Sequence, residues 1–230
     1  MFVDSLVKKR QGSSLISDYP KEFIFLLLLS IPFWLIFEGY NLFTHSWSYI
    51  NYQWYIHIID FSIIMPAFAE TFMLLWGSTR RVISRAREMH KAWYYSIAAF
   101  GAVVSVIPLV FPYAAFSLMW VGLFLLIDPI NHLNGRISLI HEFLHGRWRN
   151  IIAIAVGSLI VGFLFEFWNY YAYPHWIYNI PIFGSYKLFA MPALGYLGYI
   201  FFGMEVFSFY IFFRSFIFHY EPPVFGNKSG

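Results

Sequence analysis

Of 230 residues, 60% are hydrophobic and only 12% carry a formal charge, roughly half the charged share of an ordinary soluble domain. The net charge of +3 is too small to point to a nucleic-acid partner, and the absence of cysteine excludes disulfides, thiolate nucleophiles and Cys-ligated metal or iron–sulfur sites. This balance reads as an all-α, polytopic transmembrane helix bundle, with residues 1–230 as a single transmembrane domain.

Six apolar runs have the length a helix needs to cross a bilayer, about 23–43, 58–76, 93–111, 113–131, 151–171 and 194–213. Lys8, Lys9 and Arg10 precede the first. That run exceeds a signal-peptide core and lacks a small-residue cleavage site, so it reads as a signal-anchor helix. It ends on Phe37-Glu38-x-x-Asn41, followed by Trp47-x-Tyr49. The second run opens near Asp60, a helix N-terminal anion, and carries Met65-Pro66-Ala67 and then Glu70. A basic loop, 78–91, leads to runs three and four, which only Phe111-Pro112-Tyr113 separates. Asp128-Pro129 reads as a helix stop, with Asp128 paired to Arg136 or another loop arginine. Residues 132–150 form a cytoplasmic interfacial loop. The fifth run ends on Phe165-Glu166-x-x-Asn169, and Trp176-x-Tyr178, Met191-Pro192-Ala193 and Glu205 follow. The tail from His219 onward is expected to be loosely ordered.

The first two runs and the last two therefore match as an internal duplication, spans 1–2 resembling spans 5–6, with repeat halves at about 22–111 and 151–214. His45 and His175 fall at matching places. Fourteen of the fifteen Lys and Arg lie on one side of the spans and only Lys187 on the other. That bias predicts a multi-pass protein of the cell membrane with both termini cytoplasmic. The opposite face carries Trp47, Tyr49, Trp54, Trp176 and Tyr178, as a membrane boundary favours.

Glu38 and Glu166 fall in the outer halves of their spans, Glu70 and Glu205 near the middle of theirs. An acid facing lipid at such depth costs on the order of 2.5–3.5 kcal/mol, so all four are expected to point inward and meet at one cavity. Asn41 and Asn169, three residues after Glu38 and Glu166, share their helix faces and are expected to bond to them. Trp168, Tyr171 and Trp176 are candidate walls for a flat polyene or prenyl chain, and aromatic faces also stabilise a carbocation. Carboxyls whose proton affinities diverge serve as acid and base. The plainer alternative is that each Glu–Asn pair is an interhelical clasp.

His141-Glu142-Phe143-Leu144-His145 has the His-Glu-x-x-His spacing that would set two zinc ligands on one helix face, with Glu142 as a peptidase base. The alternative is an amphipathic interfacial helix with Leu139, Ile140, Phe143 and Leu144 in the headgroup region and the histidines in water. No cofactor is expected otherwise.

FWNYYAYPHWIY (167–178) with MPALGYLGYIFFGMEVF (191–207), and FEGYNLFTHSWSY (37–49) with MPAFAETF (65–72), resemble the lycopene cyclase domain, the small carotenoid cyclases built from tandem three-span units. The second half is also similar to uncharacterised bacterial polytopic membrane proteins. The cyclase resemblance implies a redox-neutral isomerase or intramolecular lyase acting on an isoprenoid from the bilayer. Glu205 or Glu70 would protonate a double bond, and Glu166 or Glu38 would remove a proton. The other readings are a proton- or ion-coupled transporter, a structural subunit with a membrane-protein partner or a second copy, and the zinc peptidase.

Overall fold

The computed structural model describes residues 1–76, 89–180, 186–220 and 222–223. Most of the basic loop 78–91, part of 181–203 and most of the tail lie outside the described residues. Six helical segments are long and apolar enough to cross a membrane. They are α3 (Pro20–Thr44), α4 (Trp54–Trp76), α5 (Lys91–Val110), the segment Pro112–Leu133, α9 (Trp148–Tyr171) and a last segment, Ala193–Arg214. Every end lies within four residues of the sequence reading. Together they fit a multi-pass integral membrane protein.

Two short helices precede the spans, α1 (Phe2–Gln11) and α2 (Leu15–Asp18). Pro112–Leu133 is broken rather than continuous. A single turn, α6 (Pro112–Ala115), and a 3-10 turn at Phe116–Leu118 lead into α7 (Met119–Leu133). After it comes the six-residue α8 (Leu139–Leu144). The last span is a 3-10 turn, Ala193–Gly195, followed by α10 (Tyr196–Arg214). The packing order runs α3, α4, α9, α10, α7, α5, and α5 returns to touch α3.

Small residues set the closest approaches. A Cβ on Gly203 of α10 would stand 1.7 Å from Ser158 Oγ of α9, and one on Gly122 of α7 would stand 2.5 Å from Ser105 Oγ of α5. Without a hydrophobic drive between helices in lipid, such contact is what holds neighbours together. Between α3 and α4 the device differs. Ser30 Oγ donates to the Phe61 carbonyl and accepts from the Met65 N–H at 3.1 Å. The hydroxyl thereby inserts into the backbone ladder of α4 just before Pro66, where a helix bends most easily.

On the face where α3 and α9 end, β1 (Trp47–Ile50) and β2 (His175–Tyr178) pair antiparallel. Trp47 lies opposite Tyr178 and Tyr49 opposite Trp176, so each Trp-x-Tyr meets the other in reverse. Two residue pairs, β3 (Lys187–Leu188) and β4 (Met191–Pro192), form a small second hairpin there. On the opposite face Glu22 is fully buried against Arg214, with the hydroxyls of Tyr210 and Tyr220 on the same carboxylate. That cluster joins the first and last spans.

Asp128 corrects one expectation. Its helix continues past Pro129 to Leu133. Among the described residues its carboxylate takes no arginine: it accepts from Leu139 N at 2.8 Å, Ile140 N at 2.9 Å, Ser138 Oγ at 2.6 Å and Ser208 Oγ at 3.0 Å. The carboxylate thus caps α8 and ties it to α10, because the unpaired N–H groups of a helix start favour an anion.

A candidate functional site: the aromatic cavity under the ribbon

Beneath the β1–β2 ribbon lies a cavity of about 510 Å3, within the range of about 300–1,000 Å3 usual for small-molecule sites. Its walls come from α3, α4, α7, α9, α10 and the ribbon. Phe202 of α10 is the hub of the floor, with ring centroids 5.3 Å from Phe68, 5.4 Å from Phe37 and 5.5 Å from Trp120. Trp34 stands 5.9 Å from it, edge to face. Such pairs hold a shape that flexible aliphatic side chains would not.

Two carboxylates sit directly behind the wall, each joined to it through a tyrosine of the ribbon. Glu166 Oε1 accepts from Tyr178 OH and from Tyr199 OH, the latter at 2.8 Å, and Tyr178 OH accepts from Trp176 Nε1 at 2.8 Å. Glu38 Oε1 accepts from Tyr49 OH, from Trp34 Nε1 at 2.9 Å and from Trp47 Nε1 at 3.0 Å. Tyr49, Tyr178 and Tyr199 all line the cavity. Burial first, and then the adjoining carboxylate, hold the Tyr49 and Tyr178 phenols above their ordinary value, so both stay protonated as donors. Glu166 is fully buried, and its Oε2 has no hydrogen-bond partner among the described residues.

The asparagines do something other than expected. Asn41 donates to the Trp47 carbonyl at 3.0 Å and accepts from the Trp47 N–H at 3.1 Å. Asn169 makes the same two bonds to Trp176, at 2.9 and 2.8 Å. Each pins its ribbon strand to the end of its helix and neither bonds to the neighbouring Glu. A planar amide satisfies a backbone N–H and C=O together, and this two-point match wins over the side-chain contact.

The four acids are not gathered on the cavity surface. Glu70 of α4 is buried with both oxygens unpartnered among the described residues and faces Asp4 of α1. Glu205 is also buried, with no side-chain partner among the described residues, and faces the α7 backbone at Leu123 and Phe124. Of the aromatic candidates, Trp168 and Trp176 line the cavity, as does Asn169. Tyr171 is 70% exposed and packs on Phe167 and Tyr170 outside it.

Sequence reasoning missed Tyr199, Trp34, Trp120 and the roles of Tyr49 and Tyr178. One signal was present: Trp34 and Glu38 are four residues apart, on one helix face. Another was the Trp-x-Tyr spacing, which puts both rings on one face of a strand. Tyr199 had no such signal. Its ring occupies room that only Gly162 leaves, since a Cβ there would stand 2.4 Å from the Tyr199 ring.

His141 and His145 sit on or beside α8; the His141 ring stacks on His132 at a centroid spacing of 4.2 Å and lies tilted against His145 at 3.9 Å. His141 Nδ1 is 3.0 Å from Tyr94 OH, and His145 Nδ1 is 2.9 Å from the His141 carbonyl. Both rings are therefore half-buried rather than in water. Burial, then the neighbouring cations, push His141 down to about 4. Glu142 pairs with Arg147 at 3.1 Å. No group of three or more His, Asp or Glu side chains among the described residues is arranged so that it could hold a metal ion.

Compared with protein-family models, curated proteins and solved structures, the chain matches none.

Proposed function

We propose that this protein takes an elongated apolar molecule, an isoprenoid or other lipid, from the bilayer into the cavity and isomerises it by proton transfer. The observation that carries this reading is the pair of tyrosine–carboxylate contacts in the wall, Tyr178 and Tyr199 on Glu166 and Tyr49 on Glu38. A phenol at the surface delivers a proton to a double bond as the acid behind it resupplies that phenol, and the second pair takes a proton from the adjacent carbon by the reverse relay, through its phenol to its carboxylate. The molecule gains one proton and loses another, so no oxidant is needed. Meanwhile Trp34, Trp120 and Phe202 present aromatic faces to the passing cation. The resemblance to the lycopene cyclase domain supports the same chemistry, and the matched Asn41 and Asn169 bonds support reading the two halves as copies. The charge bias of the loops supports cytoplasmic termini.

The test is to extract the lipids bound to purified wild type, Glu166→Gln and Tyr199→Phe and separate them by chromatography with mass detection. Wild type is expected to carry an isomer of the same mass as, but different retention from, the compound held by the variants. Identical extracts from folded proteins would overturn the chemistry.

Glu70 and Glu205 favour a second reading, a proton-coupled transporter, because both are buried acids that the cavity does not use. Proton uptake by proteoliposomes, lost in Glu70→Gln and Glu205→Gln, would support it. Equal uptake in protein-free vesicles would dismiss it.

A further inference from the structure

The cavity wall is unevenly charged. Among the described lining residues Asp60 is the one formal charge, and no Lys, Arg or His lines the cavity with it. Asp60 is half-buried, nearly two turns into α4 at the ribbon end, beyond the first turn where the sequence reading put it, and it lies against Tyr52. Tyr52 packs on Tyr49 at 4.9 Å, Tyr49 OH is 3.4 Å from Trp34 Nε1, and Trp34 packs on Phe61 at 6.0 Å. The four rings form an unbroken line along the wall, beginning at this acid with Tyr52. His57, one turn before, stacks on Tyr52, meets Tyr49 edge to face and lies near enough to interact with Asp60, but is not part of the lining.

An anionic head group has nothing to meet here, since phosphate or carboxylate recognition requires a cation or a set of convergent N–H donors. A positive group meets the opposite: a carboxylate without an ion-pair partner among the described residues and several electron-rich ring faces, the combination that recognises quaternary ammonium ions. We propose that Asp60, with Tyr52, Tyr49, Trp34 and Phe61, seats a positively charged group, an amine or quaternary ammonium, at one end of the apolar molecule in the cavity. The inference rests on the reading of the cavity as an apolar-ligand site, and is independent of the proton-transfer chemistry. The carboxylate and its rings lie at the ribbon end, so the chain of the ligand extends inward toward Phe202.

The probes are three brominated dodecyl compounds differing only in head group: trimethylammonium, alcohol and sulfate. Each is titrated into the protein in neutral lipid nanodiscs, with quenching of tryptophan fluorescence as the readout. Gly198→Leu serves as the blank, because Gly198 lines the cavity and an added side chain grows into it, its nearest neighbour being Trp120 at 3.9 Å. The trimethylammonium compound is expected to bind about tenfold or more tighter than the alcohol, with the sulfate weakest. Asp60→Asn is expected to bring the first two within about twofold of each other. Equal binding of alcohol and cation to wild type overturns the seat and leaves the cavity reading intact. A cation preference that survives in Asp60→Asn also overturns the seat. Quenching by none of the three beyond the blank overturns both.

Discussion

At the scale of single residues, the molecule spends its polar side chains on the ribbon. Asn169 satisfies one backbone donor and one acceptor of Trp176 at once, and Asn41 does the same for Trp47. Asn169 is buried, so truncation would leave a backbone pair without partners rather than simply delete a contact. Asn169→Ala is expected to lower stability by about 1–3 kcal/mol, measured as unfolding in detergent. Its effect on ligand binding should exceed that of Tyr171→Ala, because Tyr171 lies outside the cavity. Which residues mattered was partly legible in the sequence. An acid inside an apolar run announces itself, and Glu166 and Glu38 do lie beside the cavity. What each acid bonds to was not legible, because helix spacing makes Asn a neighbour of Glu but says nothing of a strand folding back over both.

At the scale of elements, the spans were legible to within four residues at every end, since length and hydropathy alone define them. Their interruptions were less so. Residues 111–113 read as the whole link, with an unbroken span from 113, and Asp128-Pro129 read as a stop, because proline usually ends a helix. In α7 the helix runs on, and Asp128 caps α8 instead. The insertion of Ser30 into α4 could not be read at all, because it joins two helices that sequence treats separately. Ser30→Ala removes the partner of both the Phe61 carbonyl and the Met65 N–H, and about 1–3 kcal/mol of stability is expected to go with it. The α9–α10 contact gives a complementary case. Gly203→Ala forces its new methyl into Ser158, and a loss of about 1–3 kcal/mol is expected. Adding Ser158→Gly to it should restore most of that loss, and thermal unfolding of the single and double variants checks the pair. Equal stability of all three would mean that these helices do not approach as closely as described.

At the scale of the whole molecule, two sets of facts divide the faces. One face carries the ribbon; the other carries α1, α8, the buried Glu22–Arg214 pair and, among the described basic residues, Arg136, Arg147 and Arg149. The native absence of cysteine makes orientation easy to read. Single cysteines replacing Asn51 or Lys187 are expected to react with an impermeant maleimide on intact cells. Those replacing Lys9 or Asn134 are expected to react only after permeabilisation, and the reverse pattern would invert the topology. The arrangement of matched tyrosine–carboxylate contacts around one chamber explains why so apolar a chain tolerates Glu38 and Glu166 near its cavity. Glu70 and Glu205 sit elsewhere, so a common meeting point for all four acids is not part of the account. The most direct measurement is an experimental density map of the purified protein at a resolution that separates lipid from water in the space bounded by Trp34, Tyr178, Tyr199 and Phe202. The account predicts one elongated, continuous density there in wild type and its loss in Gly198→Leu; discrete, hydrogen-bonded waters filling the same space in wild type would contradict it.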